Sequence, residues 1–393
     1  MPANKEIAKV LGISESTLSN IVNNRPGTSP KTKARVIAEL KARGWDGILK
    51  AEESSRPSPA SHTAPAKVSL SDEAAKDIAF LIFKRDGLVL GESSFSDLIQ
   101  ENVQKQVHRL GYELTVLYIT LNSEIDYQIR RLRELNLAGI LIFATEMHEA
   151  DTALFDNFGV PIVSIDNDFT HLEHPIPSII VNNKPGAYQA IKCLKENGHS
   201  QIGYIQAENP IYAFSNRRHR FESAFEAYGL PLQEEYCYKV KYSQFGCFND
   251  FSRILDQPGL KLPTAFVTDD DIMAAGVMMA LKMHGYSIPS DISIIGFSGR
   301  PLCNELVPKL CTISINKDQM AIESVGKLYT MITAFAEYPQ LKELYREPAA
   351  LSPQHYRELS DLYNELVASY CSVTGIGTRL VMGDSVSAPA GEV

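Results

Sequence analysis

The 393-residue chain has no apolar run near the roughly 20 residues that a bilayer-spanning helix needs. Its first residues, MPANKEIAKVLG, lack the apolar core of a secretory signal. Six cysteines (Cys193, Cys237, Cys247, Cys303, Cys311 and Cys371) are scattered with no C-x-x-C pair, which argues against a zinc site and a disulfide framework. There is no G-x-S-x-G elbow, P-loop or G-x-G-x-x-G turn, and the histidines form no pattern with Cys or Asp. Neither an enzyme nor a bound cofactor or metal is therefore expected. With 24 Gly and 21 Pro, the chain is also neither collagen-like nor wholly disordered. What remains is a soluble, cytoplasmic protein, and 44% hydrophobic content at this length is enough for two or three packed domains.

The net charge of −9 argues against a nucleic-acid partner until it is divided along the chain. Residues 1–50 hold nine Lys and Arg against four acids, a net +5, so the remainder carries −14. A basic head on an acidic body is expected when only one module meets an anionic polymer.

The head, residues 1–50, reads as helix, turn, helix, helix. KEIAKVLG places Ile7, Ala8 and Leu11 on one face, Gly12 permits a tight turn, and Ser14 is positioned to cap the next helix. In such a unit the second helix presents its N-terminal residues to base edges in the major groove. Here these are Glu15, Ser16, Thr17, Ser19 and Asn20, followed by Asn23, while Leu18, Ile21 and Val22 pack inward. Asn20 is able to pair bidentately with adenine and Glu15 to accept from cytosine. A third helix opens at Ser29-Pro30, and its Lys31 and Thr32 suit phosphate contacts. A three-helix bundle that binds protein is the competing reading. The positive charge and the tether favour DNA.

Residues 51–75 form that tether, and its 51–67 stretch, AEESSRPSPASHTAPAK, has no large apolar side chain and cannot bury a core. From residue 76 onward, short apolar runs alternate with helical periodicity. Strands are expected at 78–83, 113–119, 139–144, 161–166, 178–182, 201–206, 264–268 and 291–297, with helices between them. Regular β-α alternation over this length predicts two doubly wound parallel sheets.

With these pieces in place, the chain resembles the lactose-repressor (LacI/GalR) family of bacterial transcription regulators. The resemblance rests on IAKVLGISESTLSNIVNNRPGTSPKTKARVIAELKARGW, then NGHSQIGYI, RRHRF, TDDDIMAAG, SIPSDISIIGFSG and RLVMGDSV, in family order and spacing. It implies a helix-turn-helix head joined to a two-lobed body similar to periplasmic binding proteins, with a ligand between the lobes. The lobes are expected at about 76–175 with 300–334, and at about 176–299 with 376–387. The matching motifs nominate Phe95, Asp166, Arg217, Asp270, Asp271 and Ser298 as effector-binding residues. Phe95 would stack on a sugar face, Arg217 would grip hydroxyls, and the carboxylates would accept hydroxyl protons. Asp270 and Asp271 equally suit helix N-caps. His199, in NGHSQ, resembles a turn residue rather than a base.

Several positions depart from the family pattern. Ser298 and Gly299 follow Phe297 where an Asp is usual, Arg220 replaces a Gly, and Asn182 stands where an Asp is common. In the tether, Glu52 and Glu53 would face phosphates and Ser54 occupies the position of a minor-groove leucine, so a looser hinge is expected, with Leu49 as a shifted wedge. An inserted segment, 335–375, contains an amphipathic helix at 352–370 capped by Ser352 and Pro353. That helix either packs on its own lobe or adds to an interface between subunits. The function expected is a homodimeric repressor of operator DNA, switched by a sugar-like effector. A cytosolic solute sensor with little specific DNA binding is the alternative.

Overall fold

The computed structural model describes residues 7, 8, 10, 11, 13–22, 32, 36, 39, 40, 76–91 and 95–389. The tether 51–75, with Ser54, lies outside them, as does Leu49. The chain divides into two compact units, Met1–Ser71 and Asp72–Val393.

In the first unit, Ile7, Ala8 and Val10 are helical and α1 spans Glu15–Val22. Ser14 Oγ accepts from the Thr17 backbone N–H at 3.1 Å, satisfying one of the free donors at the helix start. Leu18 and Ile21 are buried in one small cluster with Ile7, Ala8, Leu11, Val36 and Leu40, and Val22 packs against it. The inward face of α1 is thus the one its spacing predicts.

The second unit is built on parallel strands. β1 (Asp77–Lys84) lies between β2 (Glu113–Thr120) and β3 (Leu137–Phe143), followed by β4 (Ile162–Ile165) and β5 (Ser178–Asn182). A second set runs β7 (Cys237–Val240), β6 (Ile202–Ala207), β8 (Ala265–Thr268), β9 (Ser293–Ser298) and β10 (Cys311–Ile315). β1 reads DIAFLIFK and is buried along its length, as a strand covered on both faces must be. β11 (Val373–Val381) joins the sets: residues 373–377 run parallel to β5, and residues 378–381 run antiparallel to β10.

Helices α2 (Phe95–Arg109), α3 (Ile125–Arg133), α4 (Lys184–Glu196), α5 (Tyr212–Ala227), α6 (Gln244–Leu255), α7 (Asp271–Met283) and α8 (Lys317–Phe335) connect the strands. The lobe limits differ from those expected. Ser178 and Ile179 of β5 pair with β4 in the first lobe, and β10 pairs with β9 in the second, whereas the expected limits place 176–182 in the second lobe and 300–316 in the first. The physical reason is that a strand's partners are set by backbone pairing across the sheet, which sequence order does not reveal. β11 also begins earlier than the closing motif at 379. β7, α6 and β10 add to the elements expected: α6 keeps Phe248, Phe251 and Leu255 at helical spacing and CTISI alternates in β10, while β7 carries the weakest signal. Its CYKV is a four-residue edge strand with only Val240 fully buried.

The inserted segment forms α9 (Lys342–Arg346) and α10 (Pro353–Tyr370). Ser352 Oγ caps α10 by accepting from His355 N at 3.2 Å, with Pro353 at the first turn. Leu359, Tyr363 and Val367 turn into the first lobe's core, and the Tyr363 and Phe335 rings meet edge to face at 5.7 Å. Tyr345 OH donates to the Leu132 carbonyl at 2.5 Å, and Arg133 donates to the Leu344 carbonyl at 3.1 Å. This helix packs on its own lobe.

Candidate functional site

The carboxyl ends of both strand sets face one cleft, where open α/β sheets place their ligand-binding residues. Asp166, one residue beyond β4, sits at φ 72°, a left-handed conformation that Asp tolerates better than most side chains. Its buried carboxylate accepts from Thr145 Oγ1 at 2.6 Å. Burial raises its pKa to about 6, opposed by the Thr145 hydrogen bond and by the charge of Arg217.

Arg217 reaches the same cleft from α5 in the other lobe. Its guanidinium carbon lies 3.7 Å over the Phe297 ring, and one of its terminal nitrogens donates to the Asp269 carbonyl. Its buried Nε meets no acceptor among the described residues. Asp269 is itself buried behind the cleft, where Tyr204 OH donates to it at 2.5 Å and Ala207 N–H at 2.8 Å. Burial lifts this carboxyl to about 6, against the pull of Arg217.

Asp270 has two roles. It caps α7 by accepting from Ile272 N at 3.0 Å, and it lines the cleft, where it pairs with Arg300 at 2.8 Å. Ser298 Oγ donates to its other oxygen at 2.7 Å. Ser298 is held at φ 107°, and Lys317 Nζ donates to its carbonyl at 2.9 Å. Arg300 also donates to Tyr242 OH at 2.7 Å.

The cleft therefore brings together Asp166, Arg217, Asp270 and Ser298 from the nominated residues. Asp271 is a correction. It accepts from Thr312 Oγ1 at 2.6 Å and from Arg300 N at 2.8 Å, and it does not line the cleft. Asp270 is the extended N-cap and Asp271 the first helical residue, so the two side chains leave the backbone in different directions and take different partners. Phe95 opens α2, but its side chain lies outside the described residues. Thr145, Tyr242 and Arg300 had no motif to nominate them. The available signal was their position at or just past strand ends. His199 is structural: its ring nitrogens lie 2.8 Å from Thr264 Oγ1 and 2.8 Å from the Ser387 carbonyl, tying down the turn before β6.

On the head, Ser14 is exposed, Thr17 is half-buried with its hydroxyl 2.8 Å from Ser14 Oγ, and Thr32 is helical and half-buried. The side chains of Glu15, Ser16, Ser19 and Asn20 lie outside the described residues, as do Asn23 and Lys31 altogether. Among the described residues, no group of three or more His, Cys, Asp or Glu is placed to hold a metal ion.

A family model described as a periplasmic binding protein-like domain matches residues 191–348. The chain is 27% identical over 337 residues to the "HTH-type transcriptional repressor PurR" of Glaesserella parasuis serovar 5 (strain SH0165), covering 85% of this chain and 91% of the relative. It is 24% identical over 322 residues to the "HTH-type transcriptional regulator DegA" of Bacillus subtilis (strain 168), covering 81% and 88%. Over most of its length the chain is similar to transcription regulators of the LacI/GalR type. Two solved structures of regulators share its fold. The lac repressor dimer bound to operator and the anti-inducer ONPF superposes with a TM-score of 0.63 at 18% identity, covering 98% of this chain and 99% of that one. The CelR–cellobiose complex gives 0.62 at 17% identity, covering 98% and 100%. Asp166 and Arg217 mark the first and second lobes' faces of one cleft. Among the described residues no helix is long and apolar enough to cross a membrane.

Proposed function

We propose that this LacI/GalR repressor is a cytoplasmic homodimer that binds operator DNA through the N-terminal half of α1. Ser14, Glu15, Ser16, Thr17, Ser19, Asn20 and Asn23 face the bases, with Lys31 and Thr32 on the phosphates. A small polar molecule, sugar-like in its hydroxyls, controls it from the cleft between Asp166, Arg217, Asp270 and Ser298. Phe95 is included as the stacking aromatic. One observation carries the effector reading: a buried carboxylate of one lobe and a buried guanidinium of the other line a single cleft. A ligand that bridges them ties lobe closure to its own binding, and the coupling to DNA is reciprocal.

Relatives named as repressors, the +5 head and the inward packing of Leu18 and Ile21 support the DNA-binding half. Two half-sites read by a dimer supply the affinity that one short helix lacks. Mobility-shift assays on promoter fragments next to the coding sequence test this directly. Wild type should retard one fragment over competitor, and Asn20→Ala should lose that preference by about 1–3 kcal/mol. An unchanged fragment spectrum for Asn20→Ala removes the assignment. For the effector, a thermal-shift screen of sugars and nucleosides should find a ligand that raises the midpoint, since 100 times Kd adds about 2.7 kcal/mol.

A further inference from the structure

After β1 the chain runs RDGLVLG (85–91), and this stretch enters the cleft. Val89 and Leu90 are both buried and both line it. Val89 belongs to the second lobe's apolar cluster with Ile211, Phe214, Tyr242 and Met273, although the chain that carries it comes from the first lobe. With these side chains in place the remaining cavity is about 30 Å3. That is room for about two waters, and roughly a tenth of the smallest ordinary ligand pocket.

The loop is held there by an unusual anchor. Glu146, buried just past β3, accepts four backbone N–H groups from it: Arg85 and Gly87 on Oε2, each at 3.0 Å, and Val89 and Leu90 on Oε1, each at 2.9 Å. Arg85 adds an ion pair to Asp151, and Gly87 turns at φ 73° so that Gly91 N–H reaches its carbonyl at 2.8 Å. A carboxylate that satisfies four amides is costly to pull away, because the buried Val89 and Leu90 donors would lose their acceptor. The residue beside it, Thr145, is the one that orients Asp166. One turn therefore both positions the polar site and fastens the apolar loop against it.

We infer that the segment Arg85–Gly91 is an intramolecular occupant of the effector cleft: Val89 bridges the lobes from within, and a ligand enters only by displacing Val89 and Leu90. This rests on the cleft being the effector site and adds a built-in competitor to it. The lobes then close on the chain's own side chains, and a ligand must offset the loss of that apolar contact as well as the release of the loop from Glu146.

Hydrogen exchange on the full chain tests the proposal. The amides of Arg85, Gly87, Val89 and Leu90 should exchange about 100-fold or more slower than in an unstructured peptide. Val89→Ser should raise exchange about tenfold both in 85–91 and across the cleft in 211–214 and 242, leaving 353–370 unchanged. Glu146→Gln keeps the shape but aims an amide donor at two N–H groups, and should release 85–91 in the same way. Rapid exchange of the wild-type loop overturns the proposal, as does a Val89→Ser profile confined to 85–91. Should Val89→Ser unfold the body, the wild-type rates and Glu146→Gln decide alone. Mobility shifts on the same samples separate the two readings. Retained operator preference with no effect across the cleft defeats only the occupant, whereas loss of preference in wild type defeats the repressor assignment.

Discussion

Asp166 concentrates the electrostatics of the cleft. Its folded pKa of about 6 stands above the ordinary aspartate value of 3.8, as does that of Asp269, also about 6. The folded chain therefore holds protons that the unfolded chain releases, so this stability is complete below about pH 4 and is lost as the pH rises through about 6. His199, held below its ordinary 6.5 by burial, works in the opposite direction as the pH falls below about 6.5. Between pH 5.5 and 7.5 the melting temperature should fall as the pH rises. Asp166→Asn should flatten that slope by about 1 kcal/mol over the window, because Asn accepts from Thr145 and tolerates the left-handed backbone. A slope identical to wild type in calorimetry at both ends of the window contradicts this. Arg217→Ala removes the cation facing both carboxyls and the packing on Phe297, and should cost about 2–3 kcal/mol in urea unfolding. A cost below that range would place the guanidinium outside the stabilising network.

At the scale of elements, the segment 335–375 packs closely on the first lobe. It docks where Gly159 adopts φ 76°, and a Cβ there would lie 2.5 Å from the Leu341 carbonyl and 2.6 Å from Tyr345 N. Gly159→Ala should therefore cost about 2–4 kcal/mol, through backbone strain and lost close approach together, read as a lowered melting temperature. Tyr363→Ala should cost about 3–5 kcal/mol by leaving a cavity against Phe335. If α10 serves only its own lobe, light scattering on Tyr363→Ala should give the wild-type mass. A drop to half that mass would assign the helix to a subunit interface instead. The helix was legible beforehand because Ser352, Pro353 and a 3.6-residue apolar stripe all agree. The direction in which that stripe packs was not, because an apolar face reads the same whether its own lobe or another subunit covers it.

For the whole molecule, opposite charges on head and body predict a steep salt dependence of DNA binding. If six to ten phosphates are contacted, affinity should fall about 10³–10⁵-fold between 50 and 200 mM salt, and a shallow slope in titration would contradict operator binding through the basic head. The two-lobed body follows from alternating local patterns, so its strands and most of its helices could be placed from residues alone. Asp166, Arg217, Asp270 and Ser298 could be nominated because strand ends and helix starts are local features.

Local patterning of apolar residues, caps and turns thus determined the elements, the α/β class and the strand-end residues, since each depends on neighbours a few positions apart. Only the tertiary structure assigned β5 to the first lobe and β10 to the second, and carried β11 across both. It turned Asp271 away from the cleft beside an Asp270 that lines it. It also set Glu146 under a loop 56 to 61 residues earlier in the chain. Those decisions belong to pairings between distant segments, made wherever backbone donors and buried charges find partners, and no local spacing encodes them.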